Sequence, residues 1–351
     1  MNTIYCLTKK YYPKIVIPHI FFSDSNEINA STYRDSYIII YSGLIMNASD
    51  LIKKRYTKDV LKKYGIFQKL SIEAIHSSIE EYLWKYIFLH ELYHIWHSHF
   101  LWKRKYKFDT SGILIQQSDV QNLQYNTEQN TYSGLVNYLE PEDVQKNITQ
   151  QALELDSDSC AVSMLTNLLM LDTDEKIKCG QKIERAKYIR TEMGLIMGAL
   201  ATAFCLLDGN AGAKFEEFKD IDLNAMTHPI PSIRMFYAEE VADAILYRYF
   251  PNSEEHFYIE EEWLKIICDV EPYFKGKIEM GRVFYYTAYT EKAQLHLVRL
   301  KQRITDMYDS INLLASGNMQ ERLAQEDIGL DQGAIWFTED GASLKGWKNP
   351  S

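Results

Sequence analysis

The chain has 351 residues, of which 46% are hydrophobic and 13% aromatic, enough apolar material for one large domain or two small ones. Its formal net charge is −10. Nucleic acids and anionic membrane surfaces bind proteins through concentrated Lys and Arg, so this acidic composition argues against either as the main partner.

The first part of the chain predicts a small β-sheet. The segments "KIVIPHIFF" and "SYIIIYSGLIM" are rich in β-branched and aromatic residues, and they flank the turn-like "SDSNEINAS". No charged start followed by an apolar run precedes them, so we expect no secretion signal.

A long helix is predicted next. Hydrophobic side chains and two histidines recur at steps of three and four residues: Ile72, Ile75, Ile79, Leu83, Tyr86, His90 and His94. This spacing places them on one helix face, so the apolar stripe leads directly into the histidines. The basic runs "KKRYTKDVLKK" and "WKRKYK" flank helical segments and are expected to be solvated helix faces or ends.

Residues 109–150 are polar, and we expect a long loop or small hairpin there, a candidate lid or plug. Helical patterns return in "ALELDSDSCAVSMLTNLLM", in the apolar "MGLIMGALATAFCLL" and in "PSIRMFYAEEVADAILYRY", where Pro opens a helix. The apolar segment is shorter than the ~20 residues that span a bilayer, so it predicts a buried helix and no membrane span.

The C-terminal part is predicted to be helical up to a loosely ordered tail. Its apolar residues follow steps of three and four: Leu297, Leu300, Ile304, Met307, Ile311 and Leu314. The series is too short for a coiled coil and favours a helix packed on its own domain over a dimer seam. The predicted fold is therefore α+β and mostly helical, with residues 1–250 as one domain and residues 251–351 as a helical C-terminal region.

Five cysteines are scattered along the chain without CxxC spacing: Cys6, Cys160, Cys179, Cys205 and Cys268. This usage predicts free thiols in a reducing compartment rather than a disulfide framework. We therefore expect a cytoplasmic protein.

The segment "HELYH" carries the chemistry. His90 and His94 are one helical turn apart, so their imidazoles point the same way and can reach one Zn²⁺ at roughly 2.0–2.1 Å. Glu91 lies about 100° around the helix, close enough to act as general base on a water that the metal activates. A helix with paired histidines and no metal also fits this short pattern, so a third ligand is needed.

The segment "LELDSDSC" offers that ligand. Glu154 and Asp158 lie four residues apart on one face of a predicted helix, which suits a zinc carboxylate and a partner that holds one of the histidines. An acidic helix start favoured by the macrodipole is the alternative. His97 and His99 lack the spacing to join His90 and His94, so packing or hydrogen-bonding roles are expected for them.

Four segments in order resemble one family. "INASTYRDSYIIIYSGLI" is similar to its Asn-Ala stretch and a strand ending in a Gly-Leu turn, here Gly43 and Leu44, and "HELYHIWHSH" is similar to its active-site helix. "ELDSD" and "THPIPSIR" are similar to its Glu-x-x-x-Asp helix and its Thr-His-Pro segment. With these four segments in the same order, the chain resembles the CAAX-prenyl protease and HtpX-like family of gluzincin zinc metallopeptidases, as a soluble member.

The resemblance implies a zincin-type core and a zinc site with three protein ligands: His90, His94 and Glu154. It implies Glu91 as the base and Asp158 behind the ligands. It also implies His228 at or near the metal, as a catalytic donor or as a displaceable ligand that keeps the enzyme latent.

The oxyanion of peptide hydrolysis needs a hydrogen-bond donor, and four residues are candidates: His228, Tyr93, Arg234 and Tyr237. His228 comes first because it precedes a predicted helix N-terminus, where the macrodipole adds partial positive charge. The strand "SYIIIYS" is expected to offer its edge to an extended peptide.

These features predict a zinc-dependent endopeptidase that cuts protein or peptide substrates, with an activating or inhibiting protein partner if it is latent. Two alternatives stay open. One is a regulator or scaffold in which zinc only braces the helices. The other is a toxin-like or phage-defence protease that cuts a cytosolic target.

Overall fold

The computed structural model describes residues 18–33, 37–61, 65–67, 69–97, 99, 103, 142–207, 222–250, 287–322, 336–337 and 344–345. Helices account for 78% of the described residues, and a three-stranded sheet lies near the N-terminus. The prediction of a mostly helical α+β fold is therefore confirmed at this level. Most of the polar 109–150 segment, and residues 251–286, lie outside the described residues.

The described strands are β1 (His19–Ser23), β2 (Ala30–Tyr33), β3 (Tyr37–Tyr41), β4 (Trp336–Phe337) and β5 (Leu344–Lys345). The described helices are α1 (Ser42–Arg55), α2 (Lys58–Leu61), α3 (Ile72–Trp96), α4 (Glu142–Lys178), α5 (Arg185–Leu207), α6 (Pro231–Tyr249) and α7 (Glu291–Arg322). Two short 3₁₀ turns are described at Gly65–Phe67 and Leu223–Ala225.

The N-terminal sheet has the strand order β1-β3-β2. β3 is parallel to β1 and antiparallel to β2, and its Ile38 and Ile40 are buried. The expectation that "SYIIIYS" offers a free edge is therefore wrong, because both edges of β3 are already hydrogen-bonded. Among the described strands, β2 is the one beside α3 that pairs on a single side.

The chain passes from β3 into α1 without the expected Gly-Leu turn. Gly43 and Leu44 lie in the first turn of α1, so that expectation is wrong. Gly43 is required by a close approach: a Cβ there would lie 2.2 Å from the carbonyl oxygen of Asn26. The Gly43 amide donates to the Ser25 carbonyl at 2.8 Å, which fastens the segment before β2 to the start of α1.

Helices α3, α4, α5 and α6 pack together around the main core. The predicted stripe on α3 is buried at Ile75, Ile79 and Leu83. Ser71 caps this helix by accepting a hydrogen bond from the Ala74 amide at 3.1 Å. The apolar face of α3 therefore fixes the helix in the core and carries its last two turns, with both histidines, to the edge of the core.

Helix α5 contains the apolar segment expected to be too short for a membrane span. It extends from Arg185 to Leu207, and by length and composition it could cross a membrane. Of its most apolar window, 83% is buried against the rest of the chain, as in the core helix of many proteins. One such helix is weak evidence for a span.

One helix boundary differs from the sequence prediction. Helix α4 begins at Glu142, so residues 142–150 belong to a helix and not to a loop or hairpin. Helix α7 packs on α4 beside a second apolar cluster, to which Leu297 and Leu300 of α7 and Ile148 and Leu155 of α4 belong. Leu297 and Leu300 of the predicted apolar series thus lie against the protein's own α4.

Candidate metal centre

The last turns of α3 face the middle of α4 and bring three side chains together. The Nε2 atoms of His90 and His94 lie 3.1 Å apart. Glu154 Oε2 lies 3.4 Å from the first and 3.5 Å from the second. All three residues are at most 8% exposed, so the structure forms a buried group of donors that could hold a metal ion.

The three distances fit a four-coordinate metal. Ligand atoms about 2.05 Å from a tetrahedral centre are separated by roughly 3.3 Å, and the three measured separations of 3.1, 3.4 and 3.5 Å cluster around that value. The three atoms could therefore hold one metal ion as one face of a tetrahedral site. Two imidazoles and one carboxylate are also a donor set that Zn²⁺ favours.

Glu154 is oriented within its own helix. Gln150, one turn earlier on α4, donates from Nε2 to Glu154 Oε1 at 2.8 Å. This contact turns the other oxygen, Oε2, toward the histidines. Burial alone would raise the pKa of Glu154, but His94 and His90 hold it well below its usual range, so the residue is a carboxylate.

His90 is backed by Asp158, which is completely buried on α4. His90 Nδ1 lies 2.8 Å from Asp158 Oδ1, which is an ion-pair distance. The geometry of this contact does not meet the criteria for a hydrogen bond. Burial would lower the pKa of His90, but the Asp158 carboxylate outweighs it and raises that pKa to about 10 without a metal. Asp158 also receives hydrogen bonds from Tyr86 and Arg234.

His94 is backed by a different set of residues. Its Nδ1 lies 2.9 Å from Nδ1 of His99, and His99 Nε2 lies 3.0 Å from Asp156 Oδ2. His97 Nδ1 lies 2.6 Å from the same oxygen. Burial lowers the pKa of His94 to about 4 and that of His99 to about 3, so both rings are neutral at pH 7.

Glu91 lies on the neighbouring face of α3 and is held by strand β2. The Thr32 hydroxyl is 2.7 Å from Glu91 Oε2 and 2.9 Å from the Glu91 carbonyl oxygen, either of which can accept its proton. Burial raises the pKa of Glu91, while His90 and Thr32 oppose that shift. The edge strand is thus in direct contact with the candidate base.

A cleft opens over these residues. One part, of about 220 Å³, is lined by Glu91, His94, Glu154, Thr32 and Lys103. The neighbouring part, of about 380 Å³, adds His90, Pro229 and Arg234, and Asn29 and Ala30 line both parts. His228 lines both parts, so the cleft lies between β2 on one side and the segment before α6 on the other.

The four candidate hydrogen-bond donors to the oxyanion lie in different surroundings. His228 is 57% exposed, and its Nε2 lies 3.8 Å from Glu154 Oε1. Arg234 directs Nε and Nη2 at Asp158, both at 2.7 Å. The Tyr93 ring packs against Trp96 and His97, and Tyr237 lies below the Lys301 ammonium. Of these side chains, His228 is the one in contact with both parts of the cleft.

A second group of metal-binding residue types lies next to the first: His97, Asp156 and Cys160. His97 is already within hydrogen-bond distance of Asp156. Burial and the Asp156 charge raise the pKa of the Cys160 thiol far above its usual value, which disfavours the thiolate a metal needs. Cys160, Cys179 and Cys205 are free thiols, and Cys6 and Cys268 lie outside the described residues.

Several residues at the site were not singled out by the sequence: Thr32, Lys103, Gln150 and Asp156. Lys103 belongs to the basic run "WKRKYK", which the sequence predicts to be a solvated helix face or end, but Lys103 lines the cleft beside Glu91. Gln150 has a local signal, since it precedes Glu154 by one helical turn. Thr32 has no local signal, because its contact partner Glu91 lies 59 residues further along the chain.

No protein-family model, no curated protein and no solved structure matches the chain. The class of site therefore follows from its own geometry. It is a buried centre of two histidines and one glutamate between two packed helices, open to a cleft, within a mostly helical α+β fold.

Proposed function

We propose that the protein is a zinc-dependent endopeptidase with a zincin-type core, related to the CAAX-prenyl protease and HtpX-like metallopeptidases. The observation that carries this proposal is the close approach of ligand atoms from His90, His94 and Glu154, at separations that suit one metal ion. Beside them lies Glu91, which the Thr32 hydroxyl holds independently. A metal that served only as a brace would not need a carboxylate in the cleft beside it.

His90, His94 and Glu154 would hold Zn²⁺, which supplies a Lewis acid that acidifies a coordinated water and polarises the scissile carbonyl. Glu91 takes a proton from the attacking water and passes it to the amine nitrogen as the C–N bond breaks. The second proton of the water also ends on the amine, so the products are a carboxylate and an ammonium group, and the atoms and charges of water and peptide balance. Thr32 keeps the Glu91 carboxylate turned into the cleft during this transfer.

Substrate binding follows from the open side of β2. Among the described strands β2 pairs only with β3, and its residues Ala30 and Thr32 line the cleft together with Asn29, which directly precedes the strand. An extended peptide that adds to this edge would pass directly over Glu91. On the opposite wall His228 is the candidate donor to the oxyanion, because it is exposed to the cleft and lies next to Glu154.

The test compares the wild type with Glu91→Gln and Glu154→Ala. Zinc is measured by elemental analysis, and cleavage is measured on an unfolded protein substrate. We expect about one zinc per chain in the wild type and in Glu91→Gln, with cleavage lost in Glu91→Gln. Glu154→Ala should lose most of the metal. Cleavage that survives in Glu91→Gln would remove Glu91 from the mechanism.

A zinc-braced scaffold is the second candidate, since the ligands join α3 to α4. It predicts bound zinc without cleavage, together with loss of folding in Glu154→Ala. A loss of cleavage without loss of the folded state, seen by circular dichroism, would count against it.

A further inference from the structure

The two histidines of the centre are backed by separate carboxylates on one helix. His90 contacts Asp158 directly, whereas His94 contacts Asp156 only through the ring of His99. Asp156 and Asp158 are two residues apart on α4, so they leave the helix about 200° apart. The ring of His99 lies between His94 and the Asp156 carboxylate, which is on the side of α4 that faces away from His90.

We propose that His99 and Asp156 are positioning residues that fix the tautomer of His94, so that its Nε2 is the atom presented to a metal. This inference rests on the proposed metal centre and goes beyond the ligand set. With an ionised Asp156 and a neutral His99, the Asp156–His99–His94 hydrogen-bond chain has one consistent arrangement of protons, and the Ser157 hydroxyl, 3.4 Å from His99 Nδ1, can only add a longer contact to it.

The arrangement starts at Asp156. An ionised carboxylate only accepts hydrogen bonds, so the His99 Nε2 facing it at 3.0 Å must carry a proton. A neutral imidazole has one N–H, which leaves His99 Nδ1 as an acceptor. His94 Nδ1, 2.9 Å away, must then donate to it, and this leaves His94 Nε2 with a free lone pair. That is the tautomer a metal ligand requires.

Burial makes the alternative tautomer costly. His99 is 1% exposed and Asp156 is 5% exposed, so water cannot replace a lost hydrogen bond in this chain. If the His99 proton moved to Nδ1, the bare Nε2 would face the Asp156 carboxylate across 3.0 Å. His97 supplies a further donor to Asp156 and strengthens its role as an acceptor.

The experiment measures zinc affinity by competition with a chromophoric chelator, at one pH and without substrate. Asp156→Asn keeps the shape of the side chain but removes the charge that makes His99 Nε2 the protonated nitrogen, because its amide can accept from His99 or donate to it. We expect this variant and His99→Phe to bind zinc about 10–100-fold more weakly than the wild type. His99→Gln can still accept from His94 and donate to Asp156, so it should recover most of the affinity.

Two controls make the result specific. Cys160→Ala lies next to Asp156 but outside the hydrogen-bond chain, so its zinc affinity should match the wild type. Glu91→Gln should lose cleavage and keep its affinity, which separates failure of the proposed catalysis from failure of this inference. Circular dichroism of each metal-free variant verifies that it is folded.

Unchanged affinity in both folded Asp156→Asn and folded His99→Phe would overturn the proposal, because the first removes the charge and the second removes the hydrogen-bond chain. Two zinc ions per wild-type chain, with one lost in Cys160→Ala, would also overturn it. That result would make His97, Asp156 and Cys160 a metal site instead of a hydrogen-bond network.

Discussion

Arg234 and Asp158 form a two-point ion pair in the interior, with Nε to Oδ2 and Nη2 to Oδ1 both at 2.7 Å. Asp158 is 0% exposed and also contacts His90, so the pair joins α6 to the candidate metal centre. The charge of Arg234 holds the pKa of Asp158 far below its usual value against the opposing effect of burial. Arg234 is therefore a structural partner of Asp158 in this structure.

Replacing Arg234 with Met should destabilise the protein by about 3–5 kcal/mol, because it leaves a buried carboxylate without its partner. Urea unfolding followed by circular dichroism measures the change. Arg248→Met, at the exposed end of the same helix, is the matched control and should change stability by less than about 0.5 kcal/mol. Equal effects of the two substitutions would contradict this assignment.

Thr32→Val should reduce kcat about 10-fold and leave zinc content unchanged. The substitution removes the hydroxyl that orients Glu91, and a hydrogen bond to a charged group contributes about 1.5 kcal/mol or more. Thr32→Ser keeps the hydroxyl and should retain most of the activity. A Ser variant as slow as the Val variant would show that the methyl group, and not the hydrogen bond, is what matters.

His228→Ala should lower kcat by roughly 100-fold if the imidazole donates to the oxyanion, which is a typical effect of losing one such donor. Its side chain is 57% exposed, so the stability of the fold should not change. If His228 is instead a displaceable ligand that keeps the enzyme latent, His228→Ala should raise kcat. Steady-state kinetics on one peptide would decide, since higher activity in His228→Ala indicates a latent enzyme.

Gln151 connects the C-terminal helix to the segment that carries His228. Its amide donates to the Leu223 and Met226 carbonyl oxygens at 2.8 and 2.7 Å, and its own carbonyl contacts His296 of α7 at 2.8 Å. Gln151→Leu should therefore reduce kcat with little loss of zinc, because it releases the segment just before His228. Gln302→Leu, on the exposed face of α7, should leave kcat unchanged.

The local part of the site was predictable because helical geometry is local. Residues His90, Glu91 and His94 lie within one turn of α3, and the 3.6-residue period alone places the two imidazoles on the same side. Glu154 and Asp158 were predictable as a pair for the same reason. Even Gln150, which was missed, lies one turn from its partner.

Sequence by itself determined the mostly helical α+β class, the apolar stripe of α3 and the pairs of residues that share a helix face, because period and propensity act within a few residues. Tertiary structure alone decided that Asp156 reaches His94 through His99, that Thr32 holds Glu91, and that β2 rather than β3 has the open edge. Each of these depends on how separate elements pack, and packing is set by side chains far apart in the chain. No spacing along one helix or strand carries that information.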